Sequence, residues 1–445
     1  MEWKSFRKIN CGLGWLTFAI AAIVYLLTIG PSASLWDCAE FIVTVRNLEV
    51  GHPPGAPFFM LVYNVATQVT SDPMKVGLIC NAVSALLSAF TILFLYWTIT
   101  HLVRRLIAPG DGKPAHLSKA QSIAIFASGI AGALVYTFSD TFWFSAVEAE
   151  VYAFSSFFTG LVFWLMLEWE EHAEKPESDR WLVLIAYFMG LGIGVHLLNL
   201  LCIPAMALIY YYKRTKTPSM KGAIGAVLLS FLLIVVMMYG IIQGSVKLGA
   251  AFDLFAVNTL GLRFNSGFLF YVILLLGVLA WSAWEFYRGK NERRSRISLL
   301  CSSILMGIPF MSDSVWVWLL CLAFLVWFTL FNKKVSQRVL GLLQISMAVI
   351  AIGFSSYGVI LIRSVADTPM NENSPNNALS LKKYLNREQY GDRPLLYGQT
   401  FASRVVRYEP TKKVISAAPK SNPNDPDRYI ELYMEEKPVY TNQTL

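Results

Sequence analysis

The sequence predicts an all-α polytopic membrane protein. Three observations point there: 55% of the 445 residues are hydrophobic, only 15% are charged, and the mean hydropathy is +0.50. Soluble chains carry about 25% charged residues. Aromatic residues make up 14%, with 13 tryptophans, as suits side chains held at lipid headgroup level. A net charge of +8 would suit a nucleic acid, but most basic residues lie in short loops between apolar runs. That is the mark of cytoplasmic loops, so no nucleic-acid partner is expected.

A membrane span needs about 20 apolar residues. In chain order the candidates are 12–30, 76–102, 122–139, 153–169, 181–196, 198–212, 222–242, 268–287, 297–311, 315–331 and 340–364, about eleven helices. The first follows MEWKSFRKIN much as a signal peptide would. The run Cys11–Gly30 is longer than an h-region of roughly 7–15 residues, so it reads as an uncleaved span. Segment 181–212 reads equally as one broken helix pair. Segment 55–70, GAPFFMLVYNVATQVT, is apolar but short. Counting it as a span would invert every later loop, so it is expected to be interfacial or re-entrant within a long first outer loop, 31–75. With the N-terminus cytoplasmic, the inner loops carry 21 Lys and Arg, among them Arg104, Lys113, Arg214, Lys290 and Arg294. The outer loops carry four: Arg46, Lys75, Lys247 and Arg263. This asymmetry favours an N-in, C-out orientation.

From about residue 366 the composition turns polar, beginning with ADTPMNENSPNN. The expected division is a membrane domain, 1–365, and an extracytoplasmic tail, 366–445. Short helix-like (Leu379–Glu388) and strand-like (Val414–Ala417) pieces appear in the tail, with too little apolar surface for an independent core. The chain stops at TNQTL without a closing element, which reads as the start of a longer soluble region.

Motifs of soluble enzymes are missing: there is no GxxxxGK[ST], GxSxG or HExxH. The six cysteines show neither CxxC nor a Cys/His zinc spacing. Ionisable residues beside membrane spans are costly and mark candidate sites. Three clusters stand out, all expected at the outer face. In SLWDCAEF and RNLEVGHPPG, Asp37 and Glu40 are spaced to share one helix face, and Arg46 and His52 follow. A purely structural account has Ser34 capping a helix with Asp37 in its first turn, which leaves Glu40, Arg46 and His52 unexplained. In FWFSAVEAEVYAF, Glu148, Glu150 and Tyr152 are either a helix start with acids favoured by the dipole or oxygen ligands for a divalent cation. In GLGIGVHLLNLLCIPA, His196 and Asn199 follow glycines that permit a break or close packing. A lone histidine in a helix bundle is most often a packed one.

WDCAEF and GHPPGAPF, together with the last two motifs and YLNREQYGDRPLLYGQ, carry a family resemblance over most of the chain. The chain resembles a bacterial membrane family long catalogued as a domain of unknown function, now grouped with GT-C glycosyltransferases and similar to protein O-mannosyltransferases. The resemblance implies a GT-C-like bundle whose long first outer loop bears an acidic catalytic residue. It implies a polyprenyl-phosphate donor of mannose or a similar sugar, a secreted or envelope protein as acceptor, and a bacterial inner (cytoplasmic) membrane as the location. By motif match Asp37 takes the place of the first-loop acid and Glu40 that of its acidic neighbour, while His52-Pro53-Pro54 shapes the site. No DxD motif is present in the membrane domain, 1–365, so a metal stays unassigned and a divalent cation remains an option.

From the residues alone, an attacking hydroxyl needs a carboxylate base. The leaving phosphate needs cationic or hydrogen-bonding partners, for which Arg46, His52, His196, Asn199, Lys247 and Arg263 are candidates. Two other readings compete: a transporter or flippase, which would use midplane polar residues and inverted repeats, and a non-catalytic envelope anchor. No repeat is visible, and an anchor gives Asp37, Glu40 and His52 no role. A shared pocket at the outer face favours the enzyme, a midplane cavity favours transport, and dispersed side chains favour the anchor.

Overall fold

The computed structural model describes residues 1–108, 116–289, 291–391, 396–409, 413–422, 424–433 and 437–444. Lys113 and Lys290 of the charge count lie outside them. The expected all-α membrane architecture is observed. Helices in chain order are α1 (Trp3–Thr28), α2 (Cys38–Asn47), α3 (Pro57–Thr67), α4 (Val76–Ile107), α5 (Lys119–Thr137), α6 (Asp140–Ala146), α7 (Val151–His172), α8 (Asp179–Ile193) and α9 (Ile203–Arg214). They continue with α10 (Met220–Val235), α11 (Ser245–Leu260), α12 (Ser266–Arg288), α13 (Glu292–Leu305), α14 (Val315–Val326), α15 (Gln337–Phe354), α16 (Gly358–Val365) and α17 (Ala378–Leu385).

Among the described residues, seven helical segments are long and apolar enough to cross a membrane: Trp3–Thr28, Pro73–Ile107, Lys119–Thr137, Val151–His172, Met220–Leu260, Ser266–Arg288 and Gln337–Val365. The four other expected spans fall on the shorter helices α8, α9, α13 and α14. Helix α3 has 11 residues. At 1.5 Å per residue it reaches about 16 Å, about half the hydrocarbon thickness of about 30 Å. It packs against α2 and α4 instead.

Local chemistry sets the helix limits. Helix α5 starts on a capping box, with Ser118 and Gln121 each satisfying the other's backbone N–H. Helices α10 and α11 run together through a π-helical stretch, Val236–Gly244, an irregularity that re-aims side chains. Helices α8 and α15 cross at glycines. A Cβ on Gly190 would sit 2.9 Å from the Ile350 Cα, and one on Gly353 would strike the Gly190 backbone. Small residues are what permit such an approach between apolar helices.

The main core runs through Phe59, Tyr63, Phe158, Trp169, Leu200 and Tyr357; α1 and α4 form a second cluster around Tyr25, Ala89 and Tyr96. At one end of the bundle, charged groups pair between α4 and α7. Arg104 meets Glu171, Arg105 meets Glu170, and the His101 ring lies 3.0 Å from Glu170. Pairing is how charge is carried near a membrane.

The chain after α16 folds back over the opposite end. Arg363 donates to the carbonyls of Leu48 and Asn47 at 2.8 and 3.0 Å, closing the exposed end of α2. Val50 exchanges backbone hydrogen bonds with Met370 and Glu372, both 3.0 Å. Helix α17 begins on a second capping box, Asn377 with Ser380, and buries Leu381, Tyr384 and Leu385 in the main core. The Tyr384 hydroxyl donates to the Gly51 carbonyl at 2.5 Å.

Beyond it lie β1 (Tyr397–Gly398), β2 (Val405–Glu409), β3 (Lys413–Ala417), β4 (Tyr429–Tyr433), β5 (Lys437–Tyr440) and β6 (Gln443–Thr444). They pair antiparallel as β1–β6, β2–β5 and β3–β4. Tyr429 ties β4 to α11. Its backbone exchanges hydrogen bonds with the Asn258 side chain at 2.8 and 2.9 Å, and its hydroxyl donates to Asp253 at 2.7 Å.

Candidate active site

The site grows from the loop between α1 and α3. Trp36, at φ 62°, turns the chain so that Asp37 stands immediately before α2. Asp37 makes no capping hydrogen bond, and the Ser34 hydroxyl donates to Glu148. The capping account of this motif therefore does not describe the structure, and the Asp37 carboxylate stays more than half exposed. Glu40 lies one helical turn on. One of its oxygens, Oε1, accepts from the His52 backbone N–H at 2.6 Å and faces His52 Nδ1 at 2.9 Å. The other ring nitrogen, Nε2, lies 3.8 Å from Asp37. One imidazole thus stands between two carboxylates.

A Cβ at Gly51 would lie 2.5 Å from Glu40 Oε1 and push that carboxylate away from His52. Gly55 closes the turn at φ 86° and leaves no room for a side chain beside Tyr384. The Pro53–Pro54 bond between them is cis.

The electrostatics follow from this packing. The hydrogen bond to Glu40 raises His52 above the ordinary histidine value against the opposing effect of burial, with help from the charges of Glu40 and Asp37. Burial pushes Glu40 upward, but the hydrogen bonds and charge of His52 outweigh it and hold the carboxyl below its usual value. Glu150 ends the loop before α7 and accepts from Val151 N–H at 2.7 Å. Burial, with Asp37 and Glu148 adding negative charge, pushes it up to about 7. Burial likewise raises Glu148, in spite of the Ser34 hydrogen bond.

A cavity of about 390 Å³ gathers Asp37, His52, Glu150, Tyr152 and His196. Its wall includes Met238, Ile242 and Gln243 from the π-helical stretch, and Arg387 just beyond α17. The Tyr152 and His196 rings are 5.6 Å apart. Five residues singled out in the sequence therefore meet in one cavity, with Glu40 held directly behind His52.

Four others do not line the cavity. Arg46 donates to the Thr67 carbonyl at 2.6 Å, tying α2 to α3. Asn199 is fully buried and donates to the Met189 carbonyl at 3.3 Å. Lys247 pairs with Asp313 and Ser312 at 2.5 and 2.6 Å. Arg263 lies in the α11–α12 turn, where the next residue, Phe264, donates its N–H to Asp427 of the tail at 2.8 Å. Sequence reasoning missed Arg387 and Gln243. The one signal for Arg387 was its place in YLNREQYGDRPLLYGQ, of which residues 392–395 lie outside the described ones.

The ligand atoms of Asp37, Glu40 and His52 lie within 4.8 Å of one another, as a divalent cation would need. The direct His52–Glu40 hydrogen bonds already account for that proximity. A second, apolar groove of about 790 Å³ runs along α4, α5 and α7 and takes in Leu198 and Leu201. It adjoins the cavity where Leu197 lines one and Leu198 the other.

The fold and site thus define a polytopic helical membrane protein with an acidic cavity at one end of its bundle. Residues 37–219 match the family described as the protein O-mannosyl-transferase TMEM260 N-terminal domain. The chain is 27% identical over 179 residues to protein O-mannosyl-transferase TMEM260 of Mus musculus, covering 40% of this chain and 22% of that one. It is 25% identical over 179 residues to protein O-mannosyl-transferase tmem260 of Dictyostelium discoideum, covering 40% of this chain and 19% of that one. The match thus spans about a fifth of either relative's length. Both relatives are eukaryotic, so the comparisons reach the O-mannosyltransferase side of the expected resemblance and not its bacterial side. No solved structure matches the chain significantly. The matched stretch holds Asp37, Glu40, His52, Glu148, Glu150, Tyr152 and His196, and stops well before Arg387.

Proposed function

We propose that the chain is a GT-C-type membrane glycosyltransferase that moves mannose or a similar sugar from a polyprenyl-phosphate donor to Ser or Thr of a secreted or envelope protein. One observation carries the reading. An exposed Asp37, joined through His52 to Glu40, faces a cavity within the stretch that resembles O-mannosyl-transferases. The acceptor hydroxyl gives its proton to Asp37 as its oxygen bonds to the anomeric carbon. The bond from that carbon to the phosphate oxygen breaks, and the prenyl phosphate leaves with the electron pair. One displacement of this kind inverts the anomeric centre.

His52, its charged form favoured, orients Asp37, and Glu40 orients His52. The apolar groove beside the cavity suits the prenyl chain of the donor. The cavity is walled by the ends of helices, Glu150 to Tyr152 before and within α7 and Ile193 at the close of α8, which favours an enzyme over midplane transport. The charge asymmetry of the loops orients this end away from the cytoplasm.

The test is Asp37→Asn, assayed for transfer from prenyl-phosphate mannose to an acceptor peptide in membranes. Normal insertion with transfer reduced about 10²–10⁴-fold is expected. Transfer at the wild-type rate would remove Asp37 from the mechanism.

A further inference from the structure

We propose that Arg387, supplied by the segment after the last span, binds the phosphate of the lipid-linked donor. The inference rests on the reading above and deepens it. A cavity lined by Asp37 and Glu150 repels an anion unless a cation is supplied. Of the basic residues the sequence offered, Arg46 and Lys247 are bonded elsewhere, and Arg263 does not line the cavity. His52 is taken up by Glu40, and His196, which lines the cavity, is held below the ordinary histidine value by burial and by the charge of Arg387. Among the described residues lining the cavity, Arg387 is the one arginine, and no lysine joins it. No carboxylate among the described residues pairs with it. Its guanidinium rests on the face of Tyr390 at 4.7 Å, which leaves its N–H donors open to a ligand. A planar guanidinium matches two phosphate oxygens at once.

The backbone fixes its place. Arg387 is left-handed, φ 55° and ψ 36°, at the residue just past the C-cap of α17, where left-handed backbone commonly stops a helix. Tyr384 and Leu385, just before it, are buried in the main core, and Tyr384 is bonded to Gly51 beside His52. The chain that aims Arg387 is thus locked to the loop that aims His52. As the donor bond breaks, a fixed guanidinium stabilises the charge growing on the departing phosphate.

The test uses the full chain in detergent and three probes: farnesyl phosphate, farnesol and inorganic phosphate. Wild type is expected to bind farnesyl phosphate roughly tenfold or more tighter than farnesol, as charge-assisted hydrogen bonds allow. Arg387→Asn should erase that preference and leave farnesol binding unchanged. Asparagine tolerates the left-handed conformation, so the fold is retained, and Arg387→Gly, freer still, is the second variant. Arg387→Lys should keep part of the preference. A preference that survives in both Arg387→Asn and Arg387→Gly overturns the assignment of Arg387 and leaves the enzyme reading standing. No preference in wild type overturns the lipid-phosphate reading, and the proposal with it. Inorganic phosphate bound as tightly as farnesyl phosphate makes Arg387 a free-anion site and overturns its assignment to the donor.

Discussion

Replacing Glu150 with Gln should stabilise the protein, and increasingly so as the pH rises. Glu150 is 6% exposed, and its carboxylate accepts one hydrogen bond among the described residues, from Val151 N–H at 2.7 Å. Burial first, then the charges of Asp37 and Glu148, push its carboxyl up to about 7 from an ordinary 4.5. The folded value lies above the unfolded one, so between them the folded state holds the extra proton. Its contribution is therefore best below about 4.5, declines as the pH rises to about 7, and levels off beyond. At 1.36 kcal/mol per pH unit, keeping Glu150 ionised in the fold costs ~3 kcal/mol at pH 8. Glutamine has the same shape, keeps an oxygen for Val151 N–H and carries no charge. Thermal unfolding of both proteins in detergent, from pH 5 to 8.5, reads the difference. The gap should be small at pH 5 and widen in favour of the variant up to about pH 7–8. A gap that does not change with pH, or a wild type that is the more stable at pH 8, would refute burial as the cause.

Other substitutions probe the supports of the site. Tyr384→Phe removes the donor to the Gly51 carbonyl and leaves a buried acceptor unsatisfied, at about 1–3 kcal/mol. Hydrogen exchange at residues 50–56 should quicken while α8 and α15 are unaffected, and unchanged exchange would show that the tail does not brace this loop. Gly353→Leu forces a side chain between the α8 and α15 backbones and should abolish monodisperse protein on size exclusion. Gly12→Leu, where nothing lies within 4 Å, should behave as wild type. Cysteines placed at residues 4 and 380 of a cysteine-free chain should label from opposite sides of the membrane. Labelling from one side would overturn the orientation drawn from the loop charges.

Class and helix order were legible in the linear pattern because lipid imposes a one-dimensional rule: apolar runs of sufficient length, with basic residues held at one end. The shortness of 55–70 and its helical character were legible for the same reason. The pair Asp37 and Glu40 was legible as well, since charge beside lipid is rare enough to stand out. What the pattern could not show is the company these residues keep. His52 stands between Asp37 and Glu40 because Gly51 and Gly55 let a tight turn fold back on α2. Arg46, Asn199 and Lys247 look as available in sequence as His196 does, yet packing commits each to a partner before it can reach the cavity. Arg387 sits in a polar stretch where charge is ordinary and so carries no signal of its own. Only the return of α17 onto the first loop, driven by burial of Leu381, Tyr384 and Leu385, brings it to Asp37 across 350 positions of chain. Hydropathy is a local property of each segment, whereas a site is a set of long-range contacts, and those were decided by tertiary packing alone.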